Sequence, residues 1–306
     1  MNLAPHTLFL TGALAAALLS APGSTSAQSY GGNKQNPPPA NTQNPPPANT
    51  QNPPPASGST DKSKSNSLAL DDPNAPAPTS PEEETAYKTF SGTPQTDQPK
   101  RIELGEAFVQ KYPNSRYRPI VYSALVMAYV QNGQVDKMEA TADKELAINP
   151  NDVQVLAIVA QTLPRAINSK TPEPAKQLAK AEQYSRKAIE LTPTIPKPEG
   201  VTDENFSAAK NQTLAMAHGG LGLVMIRRSQ FSEAIPELNQ SVTLDPSPDQ
   251  VNLYLLGMAN AKTSHWDDAV NAYNKCAAMT GAMQETCKKG AEESKKLAGT
   301  QLSAPK

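Results

Sequence analysis

Two cysteines, three histidines and one glycine-rich run are the residues of this chain whose types could do chemistry. Cys276 and Cys287 are not in the Cys-x-x-Cys spacing of a redox pair, so they point to a structural role, either a bridge or two buried free thiols. His6, His218 and His265 form no His-x-x-x-His pair and have no acidic cluster beside them, so no metal site is indicated. The run His218-Gly219-Gly220-Leu221-Gly222 follows no strand and lacks the Lys and Ser/Thr of a phosphate-binding loop. Glycines that let helices pack closely explain it better. Nothing marks a nucleophile turn. The chain reads as non-catalytic, with no cofactor and no metal.

The elements that carry these residues follow from composition and punctuation. The chain has 306 residues and a formal net charge of −1, which gives no basic field for nucleic acid. Residues 1–27 read as an export signal. An apolar run from Leu8 to Leu19 is followed by small residues ending at Ala27, and it is short of the ~20 residues needed to span a bilayer. No Lys or Arg precedes it, so retention as an anchor stays open beside cleavage. No other apolar run is long enough to cross a membrane. Export makes the even cysteine count favour a bridge.

Residues 28–79 are low in complexity. They hold 12 of the 30 prolines, and Gln35-Asn36-Pro37-Pro38-Pro39-Ala40-Asn41-Thr42 recurs at Gln43 and Gln51. Proline triplets fix φ and remove donors, and there is little apolar surface to offset the ordering entropy. The segment is expected to be a disordered Pro-rich spacer. A proline-rich ligand for a partner's groove is the alternative.

From Ser80 onward the punctuation is helical. Ser80-Pro81-Glu82-Glu83 has an N-cap serine, proline at the first helical position and glutamate at the third. Ser247-Pro248-Asp249-Gln250 repeats that logic, and Thr171-Pro172-Glu173 supplies another start. Pro113, Pro150, Pro193 and Pro246 follow helix ends. No run of alternating β-branched residues appears, so the fold class is all-α. Leu221-Gly222, Ala234 and Pro246 form one unit, and Leu256-Gly257, Ala269 and Tyr273 form the next. Gly222 and Gly257 are 35 positions apart, as are Ala234 and Ala269. A period in this range means stacked supersecondary units.

On these residues the chain resembles the tetratricopeptide repeat family, and specifically its exported bacterial members. The resemblance covers about 80–300. It implies a helical-hairpin solenoid of about five helix pairs, in units 80–117, 118–151, 152–201, 202–247 and 248–282, closed by a terminal helix at 283–299. The third unit carries an insertion from Pro164 to Pro174, and the second has Met138 and Glu145 where small residues are usual. Gly222, Gly257, Ala234 and Ala269 let paired helices approach, and Leu221, Leu256 and Tyr273 fill space between pairs. Cys276 would lie near the end of the last pair and Cys287 in the terminal helix.

The family lines a concave groove with the first helix of each pair. Mapped by register, Met127, Val130, Leu223, Ile226, Arg227, Tyr254, Met258 and Lys262 are groove candidates. Adaptable methionines and rim cations suit an extended or helical peptide of some acidic character. The resemblance therefore implies a non-catalytic interaction scaffold with a protein or peptide partner, exported to the periplasm or secreted. A structural role through self-association is the alternative, and an enzyme with its site in the Pro164–Pro174 insertion or the Thr192–Thr202 loop is a third reading, disfavoured because those loops lack paired carboxylates, His and Cys.

Overall fold

The computed structural model describes residues 79–302, with side chains through 300. The expected signal and most of the Pro-rich spacer lie outside the described residues. Within them the chain forms eleven α-helices and no strand. The first pairs are α1 (Pro81–Ser91) with α2 (Gln98–Lys111), α3 (Arg118–Gln131) with α4 (Val135–Ile148), and α5 (Val153–Ala166) with α6 (Pro174–Leu191). Then come α7 (Asp203–Arg227) with α8 (Phe231–Leu244), α9 (Gln250–Lys262) with α10 (Trp266–Ala278), and the terminal α11 (Gln284–Leu302).

Local chemistry sets the helix starts. Ser80 Oγ accepts from the Glu83 N–H at 3.1 Å. Asp152 Oδ1 accepts from the N–H groups of Gln154 and Val155, both at 3.0 Å, and Thr202 Oγ1 from that of Asn205 at 3.2 Å. These bonds satisfy donors that a helix N-terminus leaves free. Two starts differ from the sequence reading. Asp249, not Ser247, caps α9, because its carboxylate takes the Val251 N–H at 2.8 Å while Ser247 turns back to Asp245. Helix α6 begins at Pro174, after Glu173 at φ 45°, so Thr171 caps nothing.

The turn inside a pair is also repeated. Gly133, Ser229 and Ser264 have φ of 70°, 61° and 62°. The next N–H in each case reaches back five residues, Gln134 to the Tyr129 carbonyl, Gln230 to Met225 and His265 to Asn260, at 2.8–2.9 Å. This left-handed closure satisfies carbonyls left over at the helix end and reverses the chain within three residues. The third pair lacks that turn. Its α5 runs through Pro164 to Ala166, so the insertion starts later than Pro164. Proline near a helix end loses only one ladder bond, and Pro164 has no N–H to return to the Ala160 carbonyl.

Stacking buries the apolar faces in adjoining cores. One is built from Phe90, Phe108, Val121, Leu125, Met138 and Val159 of the first three pairs. Another holds Leu238, Leu255 and Leu256 of the last two, and a third sets Tyr273 and Leu253 against the terminal helix. Met138 and Glu145 are wholly buried in α4, in slots where the register anticipated small side chains.

Candidate functional site

The repeat positions meet across each pair. A Cβ added to Gly222 would lie 2.6 Å from Leu238 of α8, and one added to Gly257 would lie 2.6 Å from the Tyr273 ring of α10. Leu238 and Tyr273 are themselves 35 positions apart. Ala234 and Ala269 are fully buried, Leu221, Leu256 and Tyr273 nearly so, and Pro246 sits exposed after α8. The same contact thus recurs with the sequence period. The fold is a tetratricopeptide-type solenoid.

No family model and no curated protein matches the chain. Among solved structures it is similar to MamA, residues 41 to the end, from Desulfovibrio magneticus RS-1, at 14% identity and TM-score 0.45, covering 73% of this chain and 99% of that one. It is similar to TTC0263, a thermophilic TPR protein of Thermus thermophilus, at 15% identity and TM-score 0.44, covering 69% and 97%. It is also similar to PilW, a type IV pilus biogenesis factor, at 13% identity and TM-score 0.44, covering 74% and 94%.

The first helices of successive pairs, α3, α5, α7 and α9, pack side by side. Met127 and Val130 of α3 are half-buried against the N-terminal core, and Tyr254 and Met258 of α9 against the C-terminal cores. Each keeps part of its surface in solvent. Arg227 and Lys262 are exposed in the last turns of α7 and α9, where cations also complement the helix dipole. Arg227 additionally donates through Nη2 to the Ile167 carbonyl at 3.1 Å.

Leu223 and Ile226 differ from the other groove candidates. They are only 7% and 9% exposed, packed with Leu255, Leu256 and Ala259. Helix α7 is packed between α5, α8 and α9, and the cluster around both side chains draws on α8 as well as α9; a Cβ on Gly219 would meet Asn252 Nδ2 at 2.5 Å, so the bare glycine lets α9 come close. Leu223 and Ile226 support the surface and offer a partner little area.

Sequence reading missed a polar strut beneath that surface. Arg165, in the last turn of α5, pairs through Nη1 with Asp249 Oδ2 at 2.7 Å and donates through Nη2 to Asn252 Oδ1 at 3.0 Å. Asn252 Nδ2 donates to Ser241 Oγ at 2.9 Å, and Ser241 Oγ donates to the Ala215 carbonyl at 2.8 Å. Four helices are joined, and Asn252 and Ser241 are buried. A lone cation closing an otherwise uncharged helix was the available signal. Arg165→Met should cost roughly 2–3 kcal/mol in urea unfolding, because it takes the cation from a half-buried carboxylate and leaves the buried Asn252 Oδ1 without its donor. An Arg165→Met curve that overlays the wild-type curve would show the strut to be idle.

The remaining chemical groups tie helices to one another. Cys276 and Cys287 are bonded to each other, with Cα atoms 5.9 Å apart, and fix α11 to α10. Beside the bridge, a Cβ added to Gly290 of α11 would lie 2.8 Å from the Tyr273 ring, so that ring is held between two glycines on opposite helices. His218 Nδ1 lies 2.7 Å from Glu237 Oε2, linking α7 to α8. Among the described residues, no three His, Cys, Asp or Glu side chains are grouped to hold a metal.

Proposed function

We propose that this protein is a non-catalytic interaction scaffold that holds a segment of a partner protein along the first helices of its pairs. The observation that carries this reading is the row of first helices, which presents half-buried Met127 and Val130 on α3 and Tyr254 and Met258 on α9, with exposed Arg227 and Lys262 in the last turns of α7 and α9. Because the helices are pre-packed, the partner segment bears most of the ordering entropy of binding. The flexible methionines adapt to its shape. Residues 1–27 act as a cleaved signal and 28–79 as a spacer, so the scaffold works in the periplasm or outside the cell. The bonded pair Cys276–Cys287 supports this, since such bonds persist in oxidising compartments. No helix among the described residues is long and apolar enough to cross a membrane.

The test is capture from envelope extracts by the mature protein with a photocrosslinker placed beside the row, compared with Met258→Glu and Lys262→Glu. These two are chosen over Arg227 because that side chain also holds the Ile167 carbonyl. Partner yield should fall at least about tenfold in Met258→Glu, as expected for a charge set into an apolar contact, with far-ultraviolet circular dichroism unchanged. Equal capture by wild type and both variants would remove the groove reading.

A further inference from the structure

The joint between the second and third pairs contains a carboxyl group with no ordinary reason to be there. Glu145 on α4 has no exposed surface, and neither Oε1 nor Oε2 makes a hydrogen bond of normal geometry. It occupies a slot where the repeat register calls for a small residue. Its charged surroundings give the carboxylate no ion pair, only the attraction of Arg118, which is the weakest of the influences on it. From α5 it faces Asp152, an anion already engaged by Ser123 Oγ at 2.6 Å and by two backbone N–H groups. From α3 the nearest cation is Arg118, whose guanidinium lies over the Tyr122 ring and donates to the Pro113 carbonyl. On its own helix end only the neutral Asn149 side chain is near. The cations of α6 are used elsewhere, Lys180 on Glu139 and Asp143 and Lys187 on the Pro150 carbonyl, and Lys137 of α4 reaches Glu106 of α2.

We infer that Glu145 is a protonation-controlled latch between the second and third helix pairs, closed when the carboxyl is neutral and loosened when it ionises. An ionised Glu145 would be a desolvated anion beside a fixed anion, which a packed interface tolerates far less well than a neutral carboxyl. Burial first, and Asp152 second, push the group up to about 8 from its ordinary 4.5. The closed joint therefore holds a proton that an opened joint releases. Its contribution to closure is complete below about 4.5, is lost progressively as pH rises, and is gone above about 8. Across that window the opening equilibrium rises by at most about tenfold per pH unit. Acidification tightens the latch. Met127 and Val130 lie on one side of this joint and Tyr254 and Met258 on the other, but the inference stands whether or not they bind a partner.

Amide hydrogen exchange on the full chain, read by mass spectrometry between pH 5.5 and 8.5 and corrected for intrinsic rates, tests it. Protection of α4 and α5 should fall with pH and level off near 8, while α9 and α10 stay flat. In Glu145→Gln the α4 and α5 profile should be flat as well. Asp152→Asn, which keeps a capping side chain, should move the levelling-off to lower pH by removing the neighbouring anion. A wild-type α4–α5 profile identical to that of Glu145→Gln would overturn the proposal. So would equal loss of protection in all pairs, which reports global unfolding. Should the glutamine variant fail to fold, the contrast between α4–α5 and α9–α10 and the Asp152→Asn shift still decide.

Discussion

Gly220→Ala is expected to lower the unfolding free energy by about 3 kcal/mol, near the upper end for overpacking. The added methyl would sit 2.5 Å from the Ala160 carbonyl oxygen, 2.7 Å from its carbon and 3.0 Å from the Gln161 nitrogen. All three are backbone atoms of α5, which cannot step aside as a side chain can. The same change at Gly222 presses only on the Leu238 side chain, at 2.6–2.7 Å, with the Leu238 nitrogen at an ordinary 3.5 Å; that side chain can shift where backbone cannot, so the penalty should be about half as large. Alanine also gains about 0.5–1 kcal/mol of helix propensity over glycine, which makes Gly299→Ala a useful control, since nothing lies within 4 Å of a Cβ there. Thermal unfolding followed by circular dichroism should rank the midpoints Gly299→Ala highest, then Gly222→Ala, then Gly220→Ala, the last about 6–12 °C below wild type. If Gly220→Ala melts with Gly299→Ala, α5 and α7 are not in backbone contact.

Removing the bridge, as Cys276→Ser with Cys287→Ser, is expected to cost roughly 3 kcal/mol on the chain-entropy account of a short closed loop. The bond joins residues 11 apart. The loss should be local. Helix α11 carries Lys288, Lys289, Lys295 and Lys296, and it covers the C-terminal core through Ala291 and the buried Cys287. Trypsin should therefore cut α11 at least about tenfold faster in the double variant, and in wild type treated with a thiol reductant, while cleavage between α1 and α8 keeps its rate. Unchanged cleavage in α11 would show that the glycine-lined seat of Tyr273 holds the terminal helix without the bond.

The all-α class, the paired helices and the terminal helix were legible because their signals are local. Caps, closing prolines and the small residues spaced by 35 positions each act within one pair. The boundary of the third pair was not legible, because Pro164 looks like a terminator in sequence and is accommodated in the last turn of α5. Asp249 and Ser247 compete for one capping role, and only geometry selects the aspartate. Glu145 stood out as the wrong size for its slot, but its isolation depends on where Arg118 and Asp152 point. Among groove residues, the register assigned faces, but burial of Leu223 and Ile226 depends on how closely the neighbouring helices α8 and α9 approach, and spacing alone does not give that distance. The contacts of Gly290 and Arg165 join segments outside any single repeat, where periodicity has nothing to say.

In a stack of repeats each unit ordinarily feels only the two beside it, and free energy adds up as intrinsic terms plus neighbour interfaces. The strut from Arg165 to Asp249 and Asn252 breaks that arithmetic, since it links the third unit to the fifth across the fourth. Melting of the fourth unit alone would have to sever a bond between units that are both still folded. The fourth unit is therefore held from both sides and is not expected to open by itself, whereas the joint between the second and third units lies outside the strut.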